Sequence, residues 1–470
     1  MRNILLLFVG FCITAVHLQA QDFLFGADLS YVNEMEDCGV VFKEQNQPKD
    51  PYLIFADHNC NVVRLRLWHT PSWYDDLNSG NRYSDFEDVR RSIQRAKNAG
   101  MQVLLDFHLS DNWADPSKQL VPAAWLPVVD NLPVLKDSLY NYVSKTLLDL
   151  YEEDLLPEMV QIGNETNKGI LLSPEDNAVW TLDWERNSQL FNRAIEAVRD
   201  VEAVIEAEIK VAIHLAGPAE SGWLLEGFIS NDVTDFDIIG MSYYWAWHQP
   251  TTIAETGQII AQFKAAHPDK EIMIFETGYI WTLEGNDAAN NIISEVHPDY
   301  APPSPENQRD WLIALTTEVM SSGGSAVIYW EPAWVSSSCY TQWGQGSHQE
   351  HATFFDFNSN LLENGGIQWM THEYATPVKT IGADLQVKVF LDDTHTLLNL
   401  EFDPLELIDT SLQFELLNAE GKILMSQKLD AFEINTQINL PSLEAGTYVA
   451  LLRGSRGLYY SRQIAIVQKD

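Results

Sequence analysis

The 470-residue sequence predicts a (β/α)8 TIM barrel followed by a small all-β sandwich. Three observations carry that expectation. Between Gln21 and Thr371, eight short apolar runs alternate with longer segments of helical period. Those helical segments have start and stop signals at their ends. Past Pro377 the helical pattern ceases, and short β-type runs separated by turn residues take over.

The apolar runs are Phe23–Leu29, Val62–Trp68, Gln102–His108, Met159–Glu165, Lys210–Leu215, Asp237–Tyr244, Glu271–Glu276 and Ala326–Glu331. Strands buried on both faces and alternating with helices form a parallel sheet. Eight such repeats over roughly 350 residues fit a closed barrel better than an open sheet. Among the helical segments are Phe86–Asn98, Val134–Tyr151, Glu185–Glu206 and Pro305–Ser321. Ser84 and Glu87 read as a capping box, Gly100 as a stop, and Pro305 suits a first turn after Ser304. Gly323-Gly324 closes that last helix.

The C-terminal runs are Leu385–Phe390, Leu397–Phe402, Ser411–Leu417, Lys422–Gln427, Gln437–Leu440, Thr447–Arg453 and Leu458–Ile466. Turn signals at Ala419-Glu420-Gly421 and Ala445-Gly446 separate some of them, as in an antiparallel sandwich. At the other end, Arg2 precedes an apolar run from Ile4 to Val16, and Leu18-Gln19-Ala20 offers a cleavage site. That pattern is a secretory signal, too short for a membrane span. The expected organisation is a signal peptide at 1–20, a catalytic barrel at 21–375, a linker near Tyr374–Gly382 and a sorting or accessory domain at 383–470. The mature chain keeps Cys38, Cys60 and Cys339, enough for one disulfide and one free thiol, with the pairing open.

Charge narrows the partners. Against 67 acidic side chains stand 29 basic ones, a formal charge of −38. Nucleic acid and anionic membrane surfaces need cations to meet their phosphates and are excluded as partners. A neutral polymer fits best.

Barrel enzymes place their chemistry at the carboxyl ends of the strands. Arg64, Arg66 and Trp68 share one face of the second strand by period-two alternation. The third strand ends in Asp106-Phe107-His108, followed by Ser110-Asp111-Asn112-Trp113. The fourth ends in Gly163-Asn164-Glu165, the seventh in Phe275-Glu276, and the eighth in Trp330-Glu331-Pro332. Glu165 and Glu276 therefore face each other from strands four and seven. Glycoside hydrolysis needs such a pair, one carboxyl protonating the leaving oxygen and the other attacking the anomeric carbon. Arg66 is the cation expected to keep Glu276 ionised. Glu331 also ends a strand, but its neighbours Trp330 and Pro332 suit a wall of the site.

Many of the 15 Trp residues fall at strand ends or in loops, where flat rings suit the apolar faces of sugars. Trp113 and Trp330 are the leading candidates for that role. Glu284, Asp287 and Asn290 put three oxygen-bearing side chains in the loop after strand seven, a candidate structural calcium site. No other cofactor is required.

Together these residues resemble the family 53 glycoside hydrolases, the endo-β-1,4-galactanases. The segments that carry the resemblance are Gly26-Ala27-Asp28-Leu29-Ser30-Tyr31 and Asn61-Val62-Val63-Arg64-Leu65-Arg66-Leu67-Trp68. With them go Leu104 to Pro116, Val160 to Asn167, and Phe275-Glu276-Thr277-Gly278-Tyr279. The resemblance implies a secreted retaining endo-hydrolase of galactan side chains in pectin. It implies Glu165 as acid/base, Glu276 as nucleophile, Asn164 on the 2-hydroxyl of the −1 sugar and Arg66 beside the nucleophile. His108, Asp111, Trp113, Tyr244 and Trp330 would complete the substrate contacts. Ala288 stands where a calcium-ligating His is expected, and Ile280 where the family often has proline.

The last ~90 residues resemble the sorting domain of the type IX secretion system, through Leu416 to Lys422 and Leu443 to Tyr448. They imply contact with a secretion machinery. Two other readings are compatible with the residues: an endo-glycanase of the same clan acting on mannan, xylan or glucan, and a non-catalytic glycan-binding surface protein.

Overall fold

The computed structural model describes residues 23–374, 387–391, 397–402, 411–418, 422–430, 435–443, 446–454 and 457–466. The signal segment at 1–20, the linker stretch 375–382 and the Ala419-Glu420-Gly421 turn lie outside these residues.

Eight parallel strands close into a barrel: β1 (Leu24–Asp28), β2 (Val62–Leu67), β3 (Gln102–Phe107), β4 (Met159–Ile162), β5 (Lys210–Ala216), β6 (Ile238–Ser242), β7 (Glu271–Glu276) and β8 (Ala326–Tyr329). Each pairs with its sequence neighbours, and β8 returns to β1 with Leu24 opposite Ala326 and Ala27 opposite Tyr329. The connecting helices include α1 (Pro51–Asp57), α2 (Phe86–Asn98), α3 (Leu132–Glu152), α4 (Trp184–Ile205), α5 (Pro218–Ser230), α6 (Ile253–Ala266) and α7 (Pro305–Ser321). Their apolar faces cover the outside of the barrel with Leu, Ile, Val and Phe side chains.

One boundary differs from expectation. The cap of α2 is Asp85, whose carboxylate accepts from the Asp88 amide at 3.0 Å. Ser84 instead sits at φ +55° and donates its amide to the Asp88 carboxylate. A carboxylate and a hydroxyl stood side by side, and the stronger acceptor took the helix end.

The lumen is layered. Leu24, Val62, Leu104, Met159, Ala212, Ile238, Met273 and Ala326 fill its lower part. Two residues further along their strands, or four in β1, period-two alternation puts Asp28, Arg64, Asp106, Gln161 and His214 on the same face. All five are buried. Hydrophobic packing thus gives way to a buried polar layer directly beneath the carboxyl ends of the strands.

Cys38 and Cys339 form a disulfide across a sequence separation of 301, and Cys60 remains as the buried thiol.

Among the described residues, the C-terminal unit contains two antiparallel sheets. β9 (Val387–Leu391), β10 (Leu397–Phe402) and β13 (Asn435–Asn439) form one, with β10 central. β11 (Ser411–Leu417), β12 (Ile423–Asp430), β14 (Gly446–Gly454) and β15 (Gly457–Ile466) form the other, in the order β12-β11-β14-β15. Alternate residues Leu398 and Leu400, and Phe414 and Leu416, are buried, as expected for sheets with one face inward.

Candidate active site

A cavity of about 570 Å³ opens at the carboxyl ends of the strands, and both Glu165 and Glu276 line it. Glu165 reaches it through a sharp turn. β4 stops at Ile162, Gly163 follows at φ +73°, and Glu165 itself adopts φ +46°. A Cβ at Gly163 would approach Thr166 to 2.7 Å as well as straining the backbone, so glycine is needed there. A non-glycine residue in the left-handed region is costly and concentrates at functional sites. Here it turns the carboxyl into the cavity instead of along the strand.

Glu276 is anchored. Arg64 Nη1 contacts its Oε1 at 2.8 Å, and the Tyr244 hydroxyl donates to Oε2 at 3.1 Å. The same guanidinium reaches Asp28 and Asp106 at 2.9 Å each, Gln161 Oε1 at 3.0 Å and Asn164 Oδ1 at 2.7 Å. Arg64 is thereby the hub of the polar layer, tying strands one, two, three, four and seven into one network. His214 extends it, bridging Asn164 Oδ1 at 2.9 Å and Ser242 Oγ at 3.0 Å. Burial, reinforced by Arg64, pushes the His214 pKa well below the ordinary imidazole value and keeps the ring neutral.

Burial raises both cavity carboxyls above the ordinary range. At Glu276 the Arg64 charge opposes that rise, while at Glu165 the negative charge of Glu276 adds to it. The proton shared by the pair therefore belongs on Glu165. One protonated and one ionised carboxyl in a single cavity is an arrangement able to deliver a proton and a nucleophile to the same bond.

The expected neighbours divide. Asn164, Trp113, Tyr244 and Trp330 line the cavity. Arg66 does not stand beside Glu276. Its Nη1 pairs with Glu331 at 3.0 Å, and its guanidinium lies 4.7, 4.4 and 4.1 Å from the ring centroids of Tyr31, Trp68 and Trp113. Aromatic faces and a buried carboxylate capture this cation, and Arg64 from one layer deeper takes the place beside Glu276. His108 is buried, with Nδ1 on Asp106 at 2.8 Å, and does not line the cavity. Asp111 also lies off the cavity. It clamps loops, accepting from the Thr70 amide at 2.9 Å and the Ala123 amide at 2.8 Å. Asp115 and His348 line the cavity without having been assigned to it from the sequence, and Trp247, Trp334 and Trp343, legible only as loop tryptophans suited to sugar faces, line it too. For the four aromatic and imidazole side chains among these, the available signal was their placement in loops after strands six and eight.

The Arg66–Glu331 pair carries a measurable consequence. Both side chains are 1% exposed. Arg66→Met should destabilise the protein by about 3–5 kcal/mol, because it strands a buried carboxyl without its cation. A thermal melt that shifts by less than a degree would remove the pair from this structural role.

The residues proposed for calcium do not fit a metal. Glu284 and Asn290 are exposed. The Asp287 carboxylate is engaged by the Ala289 amide at 2.9 Å and the Ser347 amide at 2.7 Å. The Asn290 carbonyl accepts from His348 Nδ1 at 2.7 Å. Among the described residues no group of three His, Cys, Asp or Glu side chains converges as a metal site. Backbone amides already occupy both side-chain oxygens of Asp287.

The family model for glycosyl hydrolase family 53 matches residues 24–365. The chain belongs to glycosyl hydrolase family 53. It is a glycoside hydrolase, and the strand-end carboxyls described above fall within the matched segment. An arabinogalactan endo-β-1,4-galactanase of Cellvibrio japonicus is 45% identical over 337 residues, covering 71% of this chain and 86% of that protein. An endo-β-1,4-galactanase of Bacillus subtilis is 33% identical over 333 residues, covering 68% and 72%. Among solved structures, the family 53 catalytic domain of Ignisphaera aggregans superposes with a TM-score of 0.66 at 30% identity, covering 75% of this chain and 97% of that one. A second family model, the secretion system C-terminal sorting domain, matches residues 394–467 and indicates secretion or cell-surface attachment of this family 53 enzyme. Among the described residues, no helix is long and apolar enough to cross a membrane.

Proposed function

We propose that the protein is an endo-acting galactanase that hydrolyses internal β-1,4-galactosidic bonds in the galactan side chains of pectin, with retention of configuration. The observation that carries the reading is the pair of carboxyls in one cavity, only one of which contacts a buried guanidinium. Glu276 is the nucleophile. Its carboxylate attacks the anomeric carbon while Glu165 gives its proton to the departing glycosidic oxygen, leaving a galactosyl ester on Glu276. Glu165, now ionised, takes a proton from water as that water attacks the same carbon and frees Glu276. Arg64 and Tyr244 hold Glu276 in its charged form before it attacks and again once water has freed it, and Asn164 offers an amide hydrogen to the sugar beside the cut. Trp113 and Trp330 supply apolar walls for the galactose faces.

The domain plan belongs to the same proposal. Residues 1–20 are a removable signal, 21–375 the catalytic unit, and 383–470 the segment read by a secretion machinery. Hydrolysis of potato galactan by the mature chain, with products sized by chromatography, tests the activity. A ladder of short oligosaccharides is expected, with no release from mannan or xylan. Free galactose alone in the first minutes, or equal release from mannan, would overturn the assignment.

A further inference from the structure

Two exposed indoles on the rim of the barrel are not used by the cavity. Trp180 and Trp223 are 61% and 56% exposed, and neither lines it. Trp180 stands in the segment between β4 and α4, and Trp223 near the start of α5, so both follow strands at the face that carries the carboxyls. Trp180 meets the segment after Glu165 through Lys168, and the helix that carries Trp223 meets it through Glu220. Asn167 Nδ2 donates to the Ala216 carbonyl at 2.9 Å and to Glu220 at 3.3 Å, and Glu220 precedes Trp223 by three residues on α5. Lys168 donates to the Asn177 carbonyl and stands 5.4 Å from the Trp180 ring centroid.

The site of Trp223 is built. Trp184, the first residue of α4, meets it edge-to-face at 6.3 Å and packs on Phe228 at 5.3 Å. Gly227 makes room for that ring, since a Cβ there would come within 2.0 Å of it. A half-buried indole thus braces an exposed one from behind and leaves its outer surface open.

We propose that Trp180 and Trp223 form an outer carbohydrate platform for the leaving-group side of the galactan chain, beyond the cavity. This rests on the reading of Glu165 as the acid. A group that protonates the departing oxygen faces the departing chain, so the residues that follow it flank that chain's path. Exposed rings with polar edges suit the apolar faces of neutral sugars. Around them Asp183, Glu185, Glu220 and Glu226 are exposed acids, which repel a polygalacturonate and leave a neutral polymer as the occupant.

The experiment compares Trp180→Ala, Trp223→Ala and the double variant with the parent on potato galactan and on galactotetraose. The platform predicts a KM for the polymer about 3- to 10-fold higher in the double variant, with kcat and the tetrasaccharide kinetics unchanged. Trp223→Phe should recover part of the loss. A polymer KM equal to the parent's, or an equal loss on the tetrasaccharide, overturns the platform while the galactanase reading stands. A parent that fails to cleave galactan at all overturns both.

Discussion

Replacing Glu276 with alanine is expected to lower galactan turnover by about 10⁴-fold or more, the scale seen when a covalent nucleophile is deleted from an enzyme. The loss should fall on kcat, because the cavity walls that bind the sugar remain. Azide supplies a second readout. With the carboxylate gone, azide can reach the anomeric carbon from the vacated side, forming a carbon–nitrogen bond as the carbon–oxygen bond breaks. Glu165 still provides the proton for the leaving oxygen. The expected product is an α-galactosyl azide, one inversion from the β-linked substrate. Parental activity in the variant, or a β-configured azide, would show that another residue is the nucleophile.

Glu165→Gln should reduce galactan turnover by about 10²–10⁴-fold, the usual contribution of a general acid. Formation of the glycosyl intermediate from an aryl galactoside with an acidic phenol should fall far less, since that leaving group needs no proton. Stability moves the other way. Burial and the Glu276 charge push Glu165 up to about 8, from an ordinary 4.5. The folded state therefore binds this proton more tightly than the unfolded chain. Its stabilising effect is complete below the unfolded value and is lost as pH rises through the folded one. Glutamine cannot ionise and escapes that loss. The variant should melt about 2–5 °C above the parent at pH 9 and close to it at pH 4. A gap that stays constant across this range would show that Glu165 is not held protonated by its surroundings. For the parent, the same titration predicts that activity falls as pH passes above about 8.

What could be read from the sequence follows from how local each signal is. The eight strands and the helices at Phe86–Asn98 and Pro305–Ser321 were legible because their apolar periodicity and capping residues lie within a few positions of one another. Glu165 and Glu276 were legible because a strand's carboxyl end is a local feature and the fold then fixes what stands there. The exchange of Arg64 for Arg66 was not. Both share a face, and the residue nearer the strand end looked closer to the rim. Which one meets Glu276 depends on Glu331 and the rings of Tyr31, Trp68 and Trp113, partners up to 265 residues distant from Arg66. Asp111 misled for a related reason: it sits in a motif-rich segment, but its oxygens are committed to the Thr70 and Ala123 amides. Within the oxygen-rich loop after strand seven, side-chain chemistry alone does not show that two backbone amides already claim Asp287.

The Cys38–Cys339 bond has a consequence for durability outside the cell. It turns nearly the whole barrel, both cavity carboxyls included, into a covalent ring. A protease that clips any one exposed loop inside that ring opens it without releasing a fragment, so the nicked enzyme stays a single molecule until it is reduced.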